Sequence, residues 1–238
     1  MSTQRRVALI GMGKMGRAIA ELAPSRGWTV VAQLDEPEMG RASDVKKQLA
    51  AADVAIEFTT PAAAPSNIRS VVDAGCPIVV GTTGWHAELA KTADWVRQHD
   101  GALLASANFS LGVNILEHIL YTTGRLMHGA EGFDAHLVET HHTAKKDAPS
   151  GTALLLEMAV RQGWGREVPV TSIRTGSVPG THEIIFDAPF EQIRLSHVAR
   201  DRRVFAEGAL IAAGWLIGRK GVFTMADVLG LSASEKRS

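Results

Sequence analysis

Between Arg6 and Ala105, short apolar runs recur at regular intervals: Arg6–Ile10, Thr29–Leu34, Val54–Phe58, Ile78–Val80 and Ala102–Ala105. Runs of this length, bounded by Gly, Pro, Asp or Thr, read as strands. The intervening stretches Arg17–Ala23, Ser66–Ala74 and Glu88–His99 space their apolar residues as helices do. Trp85 and Trp95 fall in this region as packing residues. The regular β-α-β-α order predicts a parallel sheet with helices on both faces.

The pattern changes at Ser106-Ala107-Asn108-Phe109-Ser110. A long helix is expected over Leu111–Met127. Strands follow at Phe133–Val138, Val170–Arg174, His182–Phe186 and Gln192–His197 without regular helices between them, which predicts a second, α+β domain with a mixed or antiparallel sheet. Residues 106–110 are then the expected hinge and crevice wall. The apolar run from Ala153 to Ala159 predicts a helix, with Pro149 in the preceding turn and Ser150 as its N-cap. A last helix is expected over Val204–Ile217, apolar on much of its surface, and the short Gly221–Leu229 stretch is expected to return to the first domain.

Composition narrows the partners. The 238 residues carry 25 Lys+Arg and 25 Asp+Glu, so no whole-protein field draws the chain to nucleic acid or membrane, and neither partner is expected. Cys76 is the single cysteine and has no partner for an internal disulfide. No apolar run is long enough to span a bilayer, and the first strand begins too early to leave room for a signal peptide. These features fit the cytoplasm. The C-terminal Ser234–Ser238 is expected to fray. Nine His raise the question of metal, but the adjacent His141 and His142 do not share a helical face as the ligands of H-E-x-x-H do, and there is no Cys cluster. No metal site is expected.

Two stretches carry candidate chemistry. Gly11-Met12-Gly13-Lys14-Met15-Gly16 lies between the first strand and the first helix, the context that gives G-x-G-x-x-G meaning. Such glycines allow a tight turn and close approach of a pyrophosphate to the helix N-terminus. Asp35 ends the second strand about 20 residues further on, where a carboxylate accepts from ribose hydroxyls. Glu36 follows it, and a second carboxylate repels a 2′-phosphate, which favours NADH over NADPH; Arg41, Lys46 and Lys47 nearby weaken the discrimination. The alternative is a tight α/β turn that binds nothing. Gly81-Thr82-Thr83-Gly84, at the carboxyl end of the fourth strand, suits a ligand crevice or a plain turn. The second stretch runs from Glu139 to Thr152. It offers His141, His142, Lys145 and Lys146 as proton donors or cations, and the backbone N–H groups of Gly151 and Thr152 at a helix start, where carboxylates bind well. It suits a small anionic substrate that must receive a proton; the alternative is a solvated basic loop beside an ordinary helix start. Arg174 and His182 flank a Gly-rich connection, open to a substrate, a neighbouring subunit or solvent.

The segment His141-His142-Thr143-Ala144-Lys145-Lys146-Asp147-Ala148-Pro149-Ser150-Gly151-Thr152-Ala153 resembles the signature of the dihydrodipicolinate reductases (4-hydroxy-tetrahydrodipicolinate reductases), E-x-H-H-x-x-K-x-D-A-P-S-G-T-A. Gly11–Gly16, Gly81–Gly84, Asn108-Phe109-Ser110, Arg174-Thr175-Gly176, Gly180-Thr181-His182 and Gly221-Val222-Phe223 match other segments of that family, so the resemblance covers nearly the whole chain. It implies a Rossmann domain of residues 1–107 plus 215–238, and a substrate-binding and oligomerisation domain of residues 108–214. It implies His141 as proton donor, Lys145 as second catalytic residue, and His142, Gly151 and Thr152 as substrate contacts. Gly11, Met12, Gly13, Lys14, Met15, Gly16, Asp35, Gly81, Thr82, Thr83, Ser106, Ala107, Asn108 and Phe109 would hold NADH or NADPH. A homotetramer built through the substrate-domain sheet is implied as well. The chain departs from the family in its compact first Gly loop, in Glu36 where Arg or Lys is frequent, in Glu57 where Asp is usual, and in a short stretch after Asp35. The expected activity is reduction of a cyclic imine dicarboxylate in lysine and diaminopimelate biosynthesis. The alternatives are another Rossmann dehydrogenase of an amino or keto acid, and a dinucleotide sensor without turnover.

Overall fold

The computed structural model of the chain describes residues 4–35, 39 and 42–231. The chain divides into two compact units, Met1–Phe109 with Arg203–Ser238, and Ser110–Arg202. The first begins with β1 (Arg5–Ile10), α1 (Lys14–Leu22), β2 (Trp28–Leu34), α2 (Ala42–Leu49) and β3 (Val54–Glu57), and continues with α3 (Ala64–Asp73), β4 (Ile78–Val80), α4 (His86–Gln98) and β5 (Ala102–Ala105). Every pairing among these strands is parallel. A parallel sheet covered on both faces needs strands that are apolar throughout, and Val7, Ala8, Leu9 and Ile10 are each at most 1 % exposed. Ala8 and Ile10 pack into a core with α2, α3 and α4; Val7 and Leu9 point the other way, since strand side chains alternate. Each fully buried Val, Leu or Ile side chain of this kind stabilises the fold by roughly 1.5–3 kcal/mol.

The second unit is α5 (Leu111–Met127), β6 (Asp134–His141), α6 (Gly151–Trp164), β7 (Val170–Arg174), β8 (Gly180–Ala188) and β9 (Glu191–Ala199). Its sheet runs β7-β6-β8-β9, with β6 and β7 parallel and the other pairs antiparallel. This is the expected mixed sheet. Ser110 caps α5 by accepting from the Val113 N–H at 3.3 Å, which fixes the helix start where the pattern predicts it. Strand β6 runs further than expected. The pattern placed its end at Val138 and His141 in a loop, but β6 pairs with β7 as far as His141↔Arg174 and with β8 as far as Thr140↔Thr181. His141 therefore stands on a sheet. Leu137, Ile184 and Phe186 form the core under α5 and α6.

The chain then returns to the first unit through α7 (Arg203–Leu216), β10 (Gly221–Phe223) and α8 (Met225–Val228). β10 pairs in parallel with β5, and the six-stranded order is β10-β5-β4-β3-β1-β2. The return comes earlier than the expected residue 215. The reason is α7, which buries Ala206, Ala209, Leu210, Ala213 and Leu216 and packs on α1, β3, β4 and β5. Its apolar surface belongs to the first sheet. The Rossmann-type parallel sheet completed by the C-terminal stretch is thus present. No helix among the described residues is long and apolar enough to cross a membrane, and the Ser234–Ser238 tail lies outside them.

In the second unit, α5 and α6 meet backbone to backbone. A Cβ on Gly163 would stand 2.3 Å from the Tyr121 carbonyl oxygen, and one on Gly124 2.6 Å from that of Val160. Gly163→Ala is therefore expected to lower unfolding stability by about 1–3 kcal/mol, as overpacking does. Urea denaturation measures it, and unchanged stability would show that the two helices separate without cost.

Candidate active site

In the first unit the chain leaves β1 into the glycine turn, and β1 lies between β2 and β3. Ligands of open parallel sheets bind outside the carboxyl ends of strands at such a switch point. A cavity of about 590 Å³ lies there, with Gly11, Met12, Gly13, Asp35, Phe58 and Thr59 in its lining. Asp35 is exposed, and its Oδ1 accepts from the Met12 N–H at 2.8 Å, which ties the acid to the turn. The three glycines do different work. A Cβ on Gly11 would stand 2.1 Å from the Phe58 carbonyl oxygen, and one on Gly16 2.0 Å from that of Gly11. These two let the protein pack against itself. Around Gly13 a Cβ would meet nothing within 4 Å, and Gly13 is the N-cap of α1 without a side-chain cap. An anion has room to approach that helix end. The residues present therefore fit a dinucleotide.

Other residues expected to bind it stand elsewhere. Lys14 and Met15 form the first turn of α1, outside the lining. A Cβ on Gly81 would fall 2.0 Å from the Phe58 ring, so Gly81 makes room for a cavity wall. Thr82 pins the loop after β3: its Oγ1 accepts from the Thr59 N–H and its carbonyl from Trp85 Nε1, each at 2.7 Å. Thr83 and Ala107 are exposed. Ser106 Oγ closes a turn with Asn108, donating to its carbonyl at 2.8 Å. Phe109 is buried edge-on to Phe58 and shapes the cavity through it. The reading from sequence missed Thr59, Thr60, Ser66 and Asn67 in the lining, because only the strand order shows that the end of β3 lies beside the glycine turn. Glu57 is buried and bonded to Thr59 and Asn67. Burial pushes its carboxyl up, against hydrogen bonds that favour the charged form.

In the second unit, Glu139 and His141 point to the same face of β6, two residues apart. His141 Nδ1 is hydrogen-bonded to Glu139 Oε2. Parallel pairing sets Arg174 opposite His141, and its Nη2 donates to Glu139 Oε1 at 2.7 Å and to the Asp147 carbonyl at 2.6 Å. Burial alone would raise the Glu139 carboxyl, but hydrogen bonds from Arg174, Ser172 and His141 hold it down at about 2. A carboxylate only accepts, so neutral His141 carries its proton on Nδ1. Burial lowers the proton affinity of His141, Glu139 raises it, and the nearby Lys145 and Arg174 lower it. Lys145 Nζ bonds both oxygens of Asp147 at 2.9 Å.

His182, across the sheet from Glu139, is buried, with its ring 5.2 Å from that of His141. Ser150 Oγ accepts from the Ala153 N–H at 3.1 Å and lies 3.3 Å from His182 Nε2. Burial first, then the charge of His141, pushes His182 down to about 4. His142 Nε2 accepts from Arg202 Nη2 at 2.6 Å. Gly151, the first residue of α6, has nothing within 4 Å of where a Cβ would stand; Thr152 follows it in the same turn, and Lys146 is exposed. The structure thus brings His141, His142, Lys145, Gly151 and Thr152 onto one strand end, its loop and the next helix start. Sequence reading assigned Glu139 no role and left Arg174 and His182 open. The alternation along β6 is the signal that would have found Glu139. Glu139, His141 and His182 place ligand-type atoms within 4.8 Å of one another. Both Glu139 oxygens are already engaged and two cations stand beside the group, an arrangement suited to handling protons rather than to holding a metal ion.

Comparison with known proteins gives one consistent picture. The family model described as dihydrodipicolinate reductase, N-terminus, matches residues 5–109, and that described as dihydrodipicolinate reductase, C-terminus, matches residues 112–229. A 4-hydroxy-tetrahydrodipicolinate reductase of Christiangramia forsetii is 36 % identical over 236 residues, covering 94 % of this chain and 97 % of its own. One from Methanoregula boonei is 36 % identical, with 92 % and 95 % covered. The solved dipicolinate-bound dihydrodipicolinate reductase from Paenisporosarcina sp. TG-14 has the same fold, with a TM-score of 0.78, 20 % identity, and 93 % and 98 % of the two chains covered.

His182 makes the stability of the protein depend on pH. Its folded proton affinity is depressed, to about 4 from 6.5, so the folded state favours the neutral ring. That contribution is present above pH 6.5 and is lost as pH falls toward 4. The melting midpoint is expected to decline over this window, and His182→Gln to flatten the decline without abolishing it, since burial depresses His141 and His197 too. An identical slope in the variant would contradict a buried, neutral His182.

Proposed function

The chain belongs to the dihydrodipicolinate reductase family, and on that premise we propose that it reduces 4-hydroxy-tetrahydrodipicolinate to tetrahydrodipicolinate, in lysine and diaminopimelate biosynthesis. The observation that carries this reading is the buried His141, bonded to an ionised Glu139, with Lys145 on the adjoining loop and the open start of α6 after it. A nicotinamide dinucleotide held by the first unit supplies the hydride when bound. The chain's own residues do the rest. His141 gives the proton that completes the reduced ring. Lys145 offsets substrate carboxylate charge and leaves Asp147 to do so. The N–H groups of Gly151 and Thr152 hold one carboxylate, and His142, already bonded to Arg202, contacts the substrate.

The cofactor reading is NADH in preference to NADPH. Asp35 supports it, because an exposed carboxylate beside the glycine turn repels a 2′-phosphate. Glu36, the second acid of that argument, lies outside the described residues, as does Arg41. The homotetramer remains part of the proposal. It is supported by the outer face of the second sheet, where Ile173 and Val198 are 42 % and 58 % exposed. Light scattering is expected to give four times the protomer mass, and Val198→Glu to reduce it; a wild-type monomer would remove this part.

The reaction is tested by following NADH, and separately NADPH, at 340 nm, with substrate generated in situ from pyruvate and aspartate semialdehyde by the preceding synthase. Oxidation should depend on the synthase product. His141→Gln should lower kcat by on the order of 100-fold or more and leave NADH binding unchanged. A folded protein that binds NADH and oxidises neither cofactor would sink the assignment and leave the other dehydrogenase or the sensor.

A further inference from the structure

Glu139 has no place in the roles assigned so far, yet it is the charged group on which the proton donor rests. Its side chain is 0 % exposed, and both oxygens are taken, Oε1 by Arg174 and Oε2 by His141 Nδ1. A group that fixes one ring nitrogen of a histidine decides which tautomer is present and where the other nitrogen points. The edge of His141 at Nε2 faces Gly180, where a Cβ would stand 3.1 Å from that nitrogen. Without a side chain, Gly180 does not crowd that nitrogen.

We propose that Glu139, held by Arg174, is the positioning residue of the reductase's proton donor: it binds Nδ1–H of His141 and makes Nε2 the atom that delivers the proton. The inference rests on the reading of His141 as donor given above. In the step, the Nε2–H bond of the imidazolium breaks and its electron pair stays on nitrogen. Loss of the 4-hydroxyl of the substrate as water gives the conjugated imine, and the electron pair displaced by hydride addition to it takes up that proton in the new C–H bond. His141 is left neutral with Nδ1–H still on Glu139, ready to take the next proton at Nε2. Arg174 serves the same end on a second contact. Its Nη2 also holds the Asp147 carbonyl, and Asp147 holds Lys145, so one guanidinium sets the strand that carries His141 and the loop that carries Lys145.

The charged and titratable groups around His141 are Glu139 on its own strand, Arg174 on β7, His182 on β8 with His197 behind it on β9, and Lys145 and Asp147 on the loop. Of these Glu139 favours the protonated ring most, and Lys145 and Arg174 oppose it. Glu139→Gln therefore makes protonated His141 harder to form.

The test is kcat/KM against pH for wild type, His141→Gln, Glu139→Gln and the double variant Glu139→Gln/Arg174→Met. The double variant guards against misfolding, because removing only one partner leaves a buried charge unpaired. Glu139→Gln is expected to cost on the order of 100-fold at pH 8. It should also move the limb on which activity is lost with rising pH to lower pH, so that acid restores part of the rate. The double variant moves it in the same direction, since Glu139 outweighs Arg174 at His141. In wild type, ¹⁵N-histidine spectra should show neutral His141 as the Nδ1–H tautomer, and Glu139→Gln, whose amide oxygen stays with Arg174 and whose NH2 then faces Nδ1, should lose that preference. A rate that falls equally at every pH with the limb unmoved, or an Nε2–H tautomer in wild type, overturns the proposal and leaves Glu139 a structural ion pair. Wild-type turnover in His141→Gln would instead overturn the donor assignment beneath it.

Discussion

A full negative charge that water does not reach organises the second unit. Glu139 stays ionised because Arg174 and His141 satisfy its oxygens, and each arrives by a different route. His141 comes from two positions along the same strand; Arg174 comes from the parallel register of β7 against β6. Stranding a buried charge by removing its partner costs about 3–5 kcal/mol, so strand register, side-chain order and charge are held to one solution. The loop follows from the same atoms, since Arg174 Nη2 also binds the Asp147 carbonyl. Ser150 then begins α6 with its hydroxyl shared between the helix and His182. One carboxylate holds a histidine directly, and through Arg174 it is joined to the loop that carries Lys145.

The first unit works with geometry rather than charge. Its strand order puts the end of β1 beside the end of β3, and the cavity opens there. Most of the small residues around it make space for the protein itself. Gly11 admits the Phe58 carbonyl, Gly16 admits Gly11 and Gly81 admits the Phe58 ring; Gly13 alone among these four leaves space for something else. A glycine-rich motif thus combines a packing device and a binding device, and sequence shows both as the same letter.

That difference marks what was legible in the chain. Periodicity located the strands of the first sheet and the long helix at Leu111–Met127, because apolar spacing answers directly to burial. The Ser150 cap was readable because capping is local chemistry. Contacts between distant strands were not. Glu139 and Arg174 are 35 residues apart in sequence, and nothing in either neighbourhood announces the other. The end of β6 was missed because His and Glu there look like loop residues until a register places them on the inner face. α7 was given to the wrong unit because an apolar helix does not say which sheet it covers. The resemblance to a known family supplied the expected roles for His141 and Lys145; the structure adds their bonded neighbours, Glu139 for the one and Asp147 for the other.

The first unit is built from two separate lengths of chain, with the second unit complete between them. During synthesis this imposes an order. When Phe109 has emerged, β5 still lacks β10 along one edge, and the face that α7 will cover is bare. The second unit has all its strands once Ala199 is out, while the first must wait for nearly the whole chain. A nascent first half therefore exposes an apolar sheet face and an unpaired strand edge, the features that draw chaperones and misassembly. The stretch after Arg202 is brief in sequence, and it closes the fold that began at β1.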